Sequence, residues 1–253
     1  MNDSFRRNLS KLTVLHVDRV KQAYEEPMRR GNNRNLSEPI AVLNRVDIVE
    51  NGDPLVEVVN GEGGIYVCCD RRIWLRQAAV GMLLRAQKML PPSLHLFIFE
   101  GYRSLQRQRD LYERFYARSF VEHPDWPNNI RRREINRFVA PPDVKCPPGH
   151  CTGGAVDLTL IDDEGEELDM VSPCGLMMAN SPTFTEDLTR EAQVNRELLF
   201  NVMERHGFKN YPFEWWHYSY GDSGWAYRKK RKTCFYSAPE PPPEYEMPPY
   251  ELE

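Results

Sequence analysis

No stretch of this 253-residue sequence is apolar enough, over the roughly 20 residues a membrane-spanning helix requires, to cross a bilayer. Arg6 and Arg7 are not followed by an apolar segment: Lys11 to Val20 mixes Leu and Val with Lys, His, Asp and Arg. The sequence therefore reads as lacking a secretory signal, and the expected location is cytoplasmic. None of the six cysteines forms a C-x-x-C pair, which excludes a zinc-ribbon reading. Cys68 and Cys69 are adjacent and bridge each other poorly, so free thiols are expected throughout. No charge of one sign dominates: 33 Lys and Arg stand against 37 Asp and Glu, a net charge of −4, with no general pull toward nucleic acid. Internal repeats are absent as well. What is present, 41% hydrophobic and 28% charged residues, suffices for an ordinary globular core.

Residues 1–35 are polar and read as an N-terminal arm, poorly ordered or a helix packed on the outside. Ala41–Val49 and Leu55–Val59 have strand composition and are separated by the turn Asn51-Gly52-Asp53-Pro54. Ile73, Leu75, Ala79, Leu83, Ala86 and Leu90 recur at helical spacing, so a helix is expected over Arg72–Leu90, ended by Pro91-Pro92. His95–Glu100 predicts a short apolar strand, and Ser104 caps a helix running to about Arg118. Pro124–Pro148 predicts loop with one short helix. Val156–Ile161 predicts a strand, Thr189–His206 a helix stopped by Gly207, and the aromatic segment Phe213–Tyr220 another strand.

This mixed order predicts a single α+β domain over residues 36–237, with a small, mostly antiparallel sheet flanked by helices. From Ala238 to Glu253 the chain holds six prolines and little that could build a core, so a disordered tail is expected. Pro241-Pro242-Pro243 and Pro248-Pro249 could form a polyproline segment for a partner, although a solvated end is the simpler reading. The basic run Arg228–Lys232 reads as a solvated turn rather than a polymer- or membrane-binding patch.

The chemistry concentrates in two segments, Pro148–Asp157 with His150 and Asp157, and Glu214-Trp215-Trp216-His217. Two imidazoles and a carboxylate can hold one zinc ion and leave its fourth position to water, while a second carboxylate nearby moves protons. His150 and Asp157 are seven apart, and on one uninterrupted strand they would face opposite ways. They can share a metal only if His150 sits in a loop, which Gly149, Gly153 and Gly154 permit. Glu214 and His217 also diverge on a flat strand, so a bulge or strong twist is expected there. Either motif alone has a bland reading, a surface histidine or an aromatic core strand. Together they point to metal binding. Cys146 and Cys151 flank His150, but a thiolate-rich set would signal structural zinc.

These segments, with Glu100-Gly101-Tyr102-Arg103 before them and Glu191-Ala192-Gln193 between them, resemble the zinc D-alanyl-D-alanine dipeptidases of the VanX type, within the D,D-peptidases that share an H-x6-D plus E-x-x-H pattern. The resemblance covers residues 65 to 220. It implies one zinc ion held by His150, Asp157 and His217. Glu214 becomes the general base that takes a proton from the attacking water and later passes it to the leaving amine. Arg103 is placed near the scissile carbonyl as a fixed donor for the oxyanion, since a guanidinium stays protonated.

Two departures bear on substrate. Pro148 and Gly149 stand where the family usually has Ser, and no acid follows Asp169-Met170 through Val171–Leu176, where the family holds the substrate's free amine. Glu186 or Asp187 would have to take over that role. The expected activity is zinc-dependent hydrolysis of a small D-amino-acid peptide, D-Ala-D-Ala first among them. The alternatives are a D,D-carboxypeptidase acting on a longer peptidoglycan-type peptide, and a non-catalytic zinc-stabilised binding module. Retention of Glu214 argues against the last, because structural zinc needs no base.

Overall fold

The computed structural model describes residues 3–25, 38–69, 71–136, 139–175, 178–186 and 188–246. In chain order the elements are α1 (Asp3–Glu25), α2 (Ile40–Leu43), β1 (Asp47–Ile48), β2 (Leu55–Glu57), β3 (Tyr66–Val67), β4 (Trp74–Arg76) and α3 (Gln77–Gln87). Then come β5 (Leu94–Glu100), α4 (Leu105–Glu122), α5 (Asn128–Ile135), α6 (Gly149–Thr152) and β6 (Ala155–Asp162). The last are α7 (Arg190–Arg205), β7 (Lys209–Asn210), β8 (His217–Ser219), α8 (Ser223–Arg228) and β9 (Thr233–Cys234).

A five-stranded sheet in the order β3-β5-β6-β8-β7 organises the fold. Only the β3–β5 pair is parallel; its other pairs are antiparallel. β5 and β6 form its centre, and both are buried along most of their length: Leu96, Phe97, Ile98 and Phe99 on one, Val156, Leu158, Leu160 and Ile161 on the other. A strand covered on both faces loses the polar alternation of a half-exposed one, which is why β5 reads as a continuous apolar run. This is the α+β architecture expected, helices flanking a small and largely antiparallel sheet.

Local signals place the two long helices beside it. Ser104 accepts a hydrogen bond from the Arg107 N–H at 3.1 Å at the start of α4, and Thr189 does the same from Ala192 at 3.0 Å for α7. Each cap contributes about 1 kcal/mol. α7 buries Ala192, Leu199, Val202 and Met203, and Gly207, at φ +102°, ends the turn after it.

Several expectations are corrected. Ala41–Val49 is not one strand: Pro39 opens a helical turn over Ile40–Leu43, and only Asp47–Ile48 pairs, in parallel with β9. The helix expected from Arg72 begins at Gln77, because Trp74–Arg76 is taken up first as β4 against β2. Phe213–Trp216 is turn, and the strand is confined to His217–Ser219.

The N-terminal segment is integral to the core. Phe5, Leu9 and Leu12, three or four apart on α1, are buried in the main cluster, with Phe5 4.8 Å from Tyr66 and His16 4.3 Å from Phe99 between ring centroids. Residues 26–35 of the expected arm lie outside the described residues. The proline-rich end is also fixed as far as residue 246. Tyr102 Oη donates to the Pro239 carbonyl at 3.0 Å, Ser104 N donates to Tyr245 Oη at 3.2 Å, and the Tyr102 and Tyr245 rings meet edge to face. Aromatic contacts thus override the composition that predicted disorder there; residues 247–253 lie outside the described set. Among the described residues, no helix is long and apolar enough to cross a membrane.

Candidate metal centre

The centre is built where β6 leaves a tight turn. α6 carries His150 and ends at Gly153, whose φ of +73° reverses the chain into β6 and brings His150 back over Asp157. A Cβ on the next residue, Gly154, would lie 2.2 Å from the Tyr220 carbonyl oxygen, so only glycine allows β6 to start this close to the end of β8. Asp157 lies two residues into β6, directly opposite His217 on β8 and Glu100 on β5. His150, expected in a glycine-rich loop, sits instead in a short helix, and the turn that brings it back over β6 is made at Gly153.

His150 Nε2 is 3.3 Å from Asp157 Oδ1, and His217 Nδ1 is 2.8 Å from the same oxygen. The ligand atoms of the three residues all lie within 4.8 Å of one another. His150 Nδ1 is 2.8 Å from the Gly101 carbonyl, which only accepts, so that nitrogen carries a proton and Nε2 is the ring atom turned toward Asp157. Burial opposes charge on Asp157, yet the imidazoles of His150 and His217 hold its carboxyl well below the usual range. His217 is displaced the opposite way: burial works against its proton, but the Asp157 carboxylate and the charge of Glu214 raise it. Two nitrogens and one ionised oxygen, converging with one imidazole anchored by a backbone carbonyl, form a donor set that fits zinc with a position left over.

The cysteines take no part. Cys146 Sγ turns to the Val46 carbonyl, and burial pushes the Cys151 thiol up to about 12, so it stays protonated.

Glu214 precedes the centre on a turn in which its carbonyl accepts from the His217 N–H at 3.3 Å. The expected bulge or strong twist is here a turn that ends where β8 begins. The charge of Glu214 acts on both His217 and Cys174.

Arg103 is tied in through its backbone, whose N–H donates to the His150 carbonyl at 3.1 Å. Its guanidinium donates to Gln108 Oε1 at 2.9 Å and lies 3.8 Å from Glu100, while its Nε is buried without a partner. Glu100 is the hub here. Arg107 grips both its oxygens, at 2.6 and 3.0 Å, and Arg71 lies at 3.3 Å. Burial opposes its ionisation, but Arg107, Arg71 and Arg103 hold its carboxyl well below the usual range. Three guanidinium groups thus surround one carboxylate beside the centre.

Arg71, Arg107 and the Gly101 carbonyl escaped the sequence reading. Arg107 is four residues from Arg103 on a segment already legible as a helix, so its proximity was within reach; nothing local marks Arg71. Of the two acids considered as substitutes near Val171–Leu176, Glu186 is exposed and Asp187 lies outside the described residues.

The family model described as D-ala-D-ala dipeptidase, peptidase family M15, matches residues 62–237. A D-alanyl-D-alanine dipeptidase of Synechocystis is 29% identical over 163 residues, covering 56% of this chain and 66% of that protein. One from Enterococcus faecalis is 31% identical over 146 residues, covering 55% of this chain and 70% of the relative. Among solved structures, the vancomycin-resistance D,D-pentapeptidase VanY in complex with Zn(II) aligns with a TM-score of 0.41 at 14% identity, over 76% of this chain and 96% of that one. With the family match spanning most of the chain and a His-Asp-His donor set inside it, the protein belongs to the D-Ala-D-Ala dipeptidase family of zinc metallopeptidases.

Proposed function

We propose that this protein hydrolyses the D-Ala-D-Ala bond of a small peptide, with His150, Asp157 and His217 holding one zinc ion, Glu214 as general base and Arg103 as oxyanion donor. The observation that carries this reading is the convergence of two imidazole nitrogens and one carboxylate oxygen within 4.8 Å, on a chain whose family is described by that reaction. Zinc bound there supplies a Lewis acid that polarises the carbonyl and brings the pKa of water from 15.7 to about 7.

The chain's own residues do the rest. Glu214, three residues before His217, accepts the proton of the attacking water and returns it to the leaving nitrogen; a carboxylate in this role contributes on the order of 10²–10⁴-fold. Arg103 donates from a guanidinium that cannot lose its proton, and the buried Nε without a partner is a donor available to a developing negative charge. Its anchorage to the His150 carbonyl and to Gln108 keeps that donor in place between turnovers, so little reorganisation accompanies reaction.

Two substrates satisfy this chemistry. The relatives are named for the free dipeptide, and D-Ala-D-Ala is the first candidate here. A longer peptide ending in D-Ala-D-Ala is the second, favoured by a specific observation: the stretch Val171–Gly175 offers no acid to pair with a free ammonium, and the arginines around Glu100 oppose one. The direct test is release of D-Ala from D-Ala-D-Ala by zinc-loaded protein. Activity should disappear on chelation and return with added zinc. Persistent activity in metal-free protein would remove zinc from the reaction.

A further inference from the structure

The proline-rich end of the chain lies beyond the family match, which stops at residue 237, and it packs on the residues that flank Arg103. Its root is fixed. Ser237 donates from its N–H and its hydroxyl to Glu50, at 2.7 and 2.6 Å, and its carbonyl accepts from Arg76 at 2.9 Å. The same Arg76 donates through Nε to the Thr152 carbonyl at 2.7 Å, at the end of α6, which carries His150. Pro239, Pro241, Pro242 and Pro243 stiffen the run that follows, because each ring fixes φ. The Tyr245 N–H then closes a turn on the Pro242 carbonyl at 2.9 Å, leaving Glu244 and Glu246 exposed and Tyr245 half-buried.

That turn meets Gly101–Ser104, the connection between β5 and α4, which is neither helix nor strand. The N–H groups of such a connection need partners from elsewhere. Tyr102 donates to the Trp74 carbonyl at 2.7 Å, Arg103 to the His150 carbonyl at 3.1 Å, and Ser104 to the Tyr245 hydroxyl at 3.2 Å. The last of these replaces a missing local acceptor. Ser104 caps α4 by accepting from the Arg107 N–H, and in a reciprocal capping box the residue at that third position is Glu or Gln, which accepts from the cap's own N–H. Here it is Arg107, which has no acceptor and is engaged on Glu100. Tyr245 supplies the acceptor from 141 residues away.

Both neighbours of Arg103 are thereby held by the tail. Tyr102 is only 4% exposed, donates from Oη to the Pro239 carbonyl at 3.0 Å, and meets the Tyr245 ring at 5.3 Å between centroids. Gln108 restrains the tip of the Arg103 side chain, while the His150 carbonyl and the tail restrain its root. A donor for a developing charge contributes only while it is aimed, and a displacement of about 1 Å at a reacting group can cost about 10²-fold.

We infer that Tyr245 is a positioning residue: its ring on Tyr102 and its hydroxyl on Ser104 fix the backbone on both sides of Arg103 and keep that guanidinium aimed at the scissile carbonyl. The inference rests on the reading of Arg103 as oxyanion donor.

The experiment measures kcat and KM for release of D-Ala from D-Ala-D-Ala by zinc-loaded, full-length protein. The variants are Tyr245→Ala, Tyr245→Phe, Arg103→Lys and the double variant Tyr245→Ala with Arg103→Lys. Tyr245→Ala should lower kcat by about tenfold or more, with KM changed less. Tyr245→Phe keeps the ring and loses the acceptor, so it should lose less, about fivefold, as one neutral hydrogen bond implies. In the Arg103→Lys background, Tyr245→Ala should cost less than about threefold, because the group it positions is gone. A tail that only adds stability would give the same loss in both backgrounds. A readout without turnover comes from NMR of the metal-free protein. The Arg103 Nε–H resonance, assigned by its absence in Arg103→Lys, should shift in Tyr245→Ala and exchange with water about tenfold faster or more.

A kcat untouched by Tyr245→Ala, a loss confined to KM, or an equal loss in the Arg103→Lys background overturns the inference and leaves the hydrolytic reading intact. Wild-type protein that releases no D-Ala overturns the hydrolytic reading. The Arg103 resonance then decides on the tail: its displacement in Tyr245→Ala supports the positioning of Arg103, and an unchanged resonance overturns it. If Tyr245→Ala fails to fold, Tyr245→Phe carries the same comparison in both backgrounds.

Discussion

Asp157 and His217 are register partners on β6 and β8, and their side chains meet with His217 Nδ1 2.8 Å from Asp157 Oδ1. Residues 60 apart in sequence thus share one position in the sheet, on the face to which α6 returns His150. A centre held by hydrogen-bonded neighbours in a buried sheet is pre-positioned before any metal arrives, and little chain entropy is left to lose on binding.

The first prediction rests on that pairing. Purified wild-type protein should carry one zinc per chain, and His217→Ala should lose most of it. Removal of one of three protein ligands leaves Asp157 and His150 with too few donors for a tight tetrahedral site. Metal analysis after dialysis checks this. Full zinc occupancy in the variant would take His217 out of the centre.

Glu214→Gln separates proton transfer from metal binding. The amide keeps the size of the side chain but cannot accept the proton of water. Zinc content should be retained, and kcat should fall on the order of 10²-fold or more. Turnover near the wild-type rate would make Glu214 a structural acid of the turn before β8.

Arg103→Lys keeps the charge and discards the planar fork that reaches Gln108 and Glu100 together. An ammonium in its place still attracts the substrate but aims poorly at a developing oxyanion. The expected result is a kcat reduced by at least about tenfold with KM changed less. If the loss appears in KM alone, Arg103 grips the bound peptide and has no particular role at the transition state.

His16 should make stability depend on pH. Burial, with Arg71 adding to it, pushes its imidazole from 6.5 down to about 3. Below pH 6.5 the unfolded chain takes up a proton that the folded chain refuses, so folding loses stability as pH falls from 6.5 toward 3, by at most about 1.4 kcal/mol per pH unit. Above pH 6.5 both states are neutral there and the contribution is flat. His16→Phe preserves the stack on Phe99 and removes the titration. Urea unfolding of both proteins between pH 7 and 4.5 should show the wild type losing stability relative to the variant as pH drops. A constant difference would mean that folded His16 accepts its proton normally.

Much of this was legible before the fold was known, and for a common reason. Ser104 before α4, Thr189 before α7 and the apolar run of β5 are signals completed within a few residues, because a cap or a buried strand needs only its own neighbours. The glycines after His150 likewise announced a tight turn, and Gly153 makes it. Where pairing partners are distant, local pattern misled. Trp74–Arg76 continues the helical spacing of α3 but is claimed by β2, and the aromatic density of Phe213–Trp216 belongs to a turn whose two tryptophans are buried. Propensity is a weak term, and burial of two indoles outweighs it.

By itself, the sequence determined which groups exist to do chemistry: two imidazoles and two carboxylates in two short segments, an arginine after a buried strand, and the absence of thiolate pairs that would point to another kind of zinc. It also determined that no acid stands between Val171 and Gly175. Only the tertiary structure decided what meets what. It set Asp157 opposite His217, gathered Arg71, Arg103 and Arg107 on Glu100, and brought His16 from the N-terminal helix against Phe99 and Gly175. Most of those contacts join residues far apart in the chain. Nothing in the spacing of the distant ones encodes them; they exist because closing β5, β6 and β8 into one buried sheet and packing α1 onto it leaves those side chains no other place.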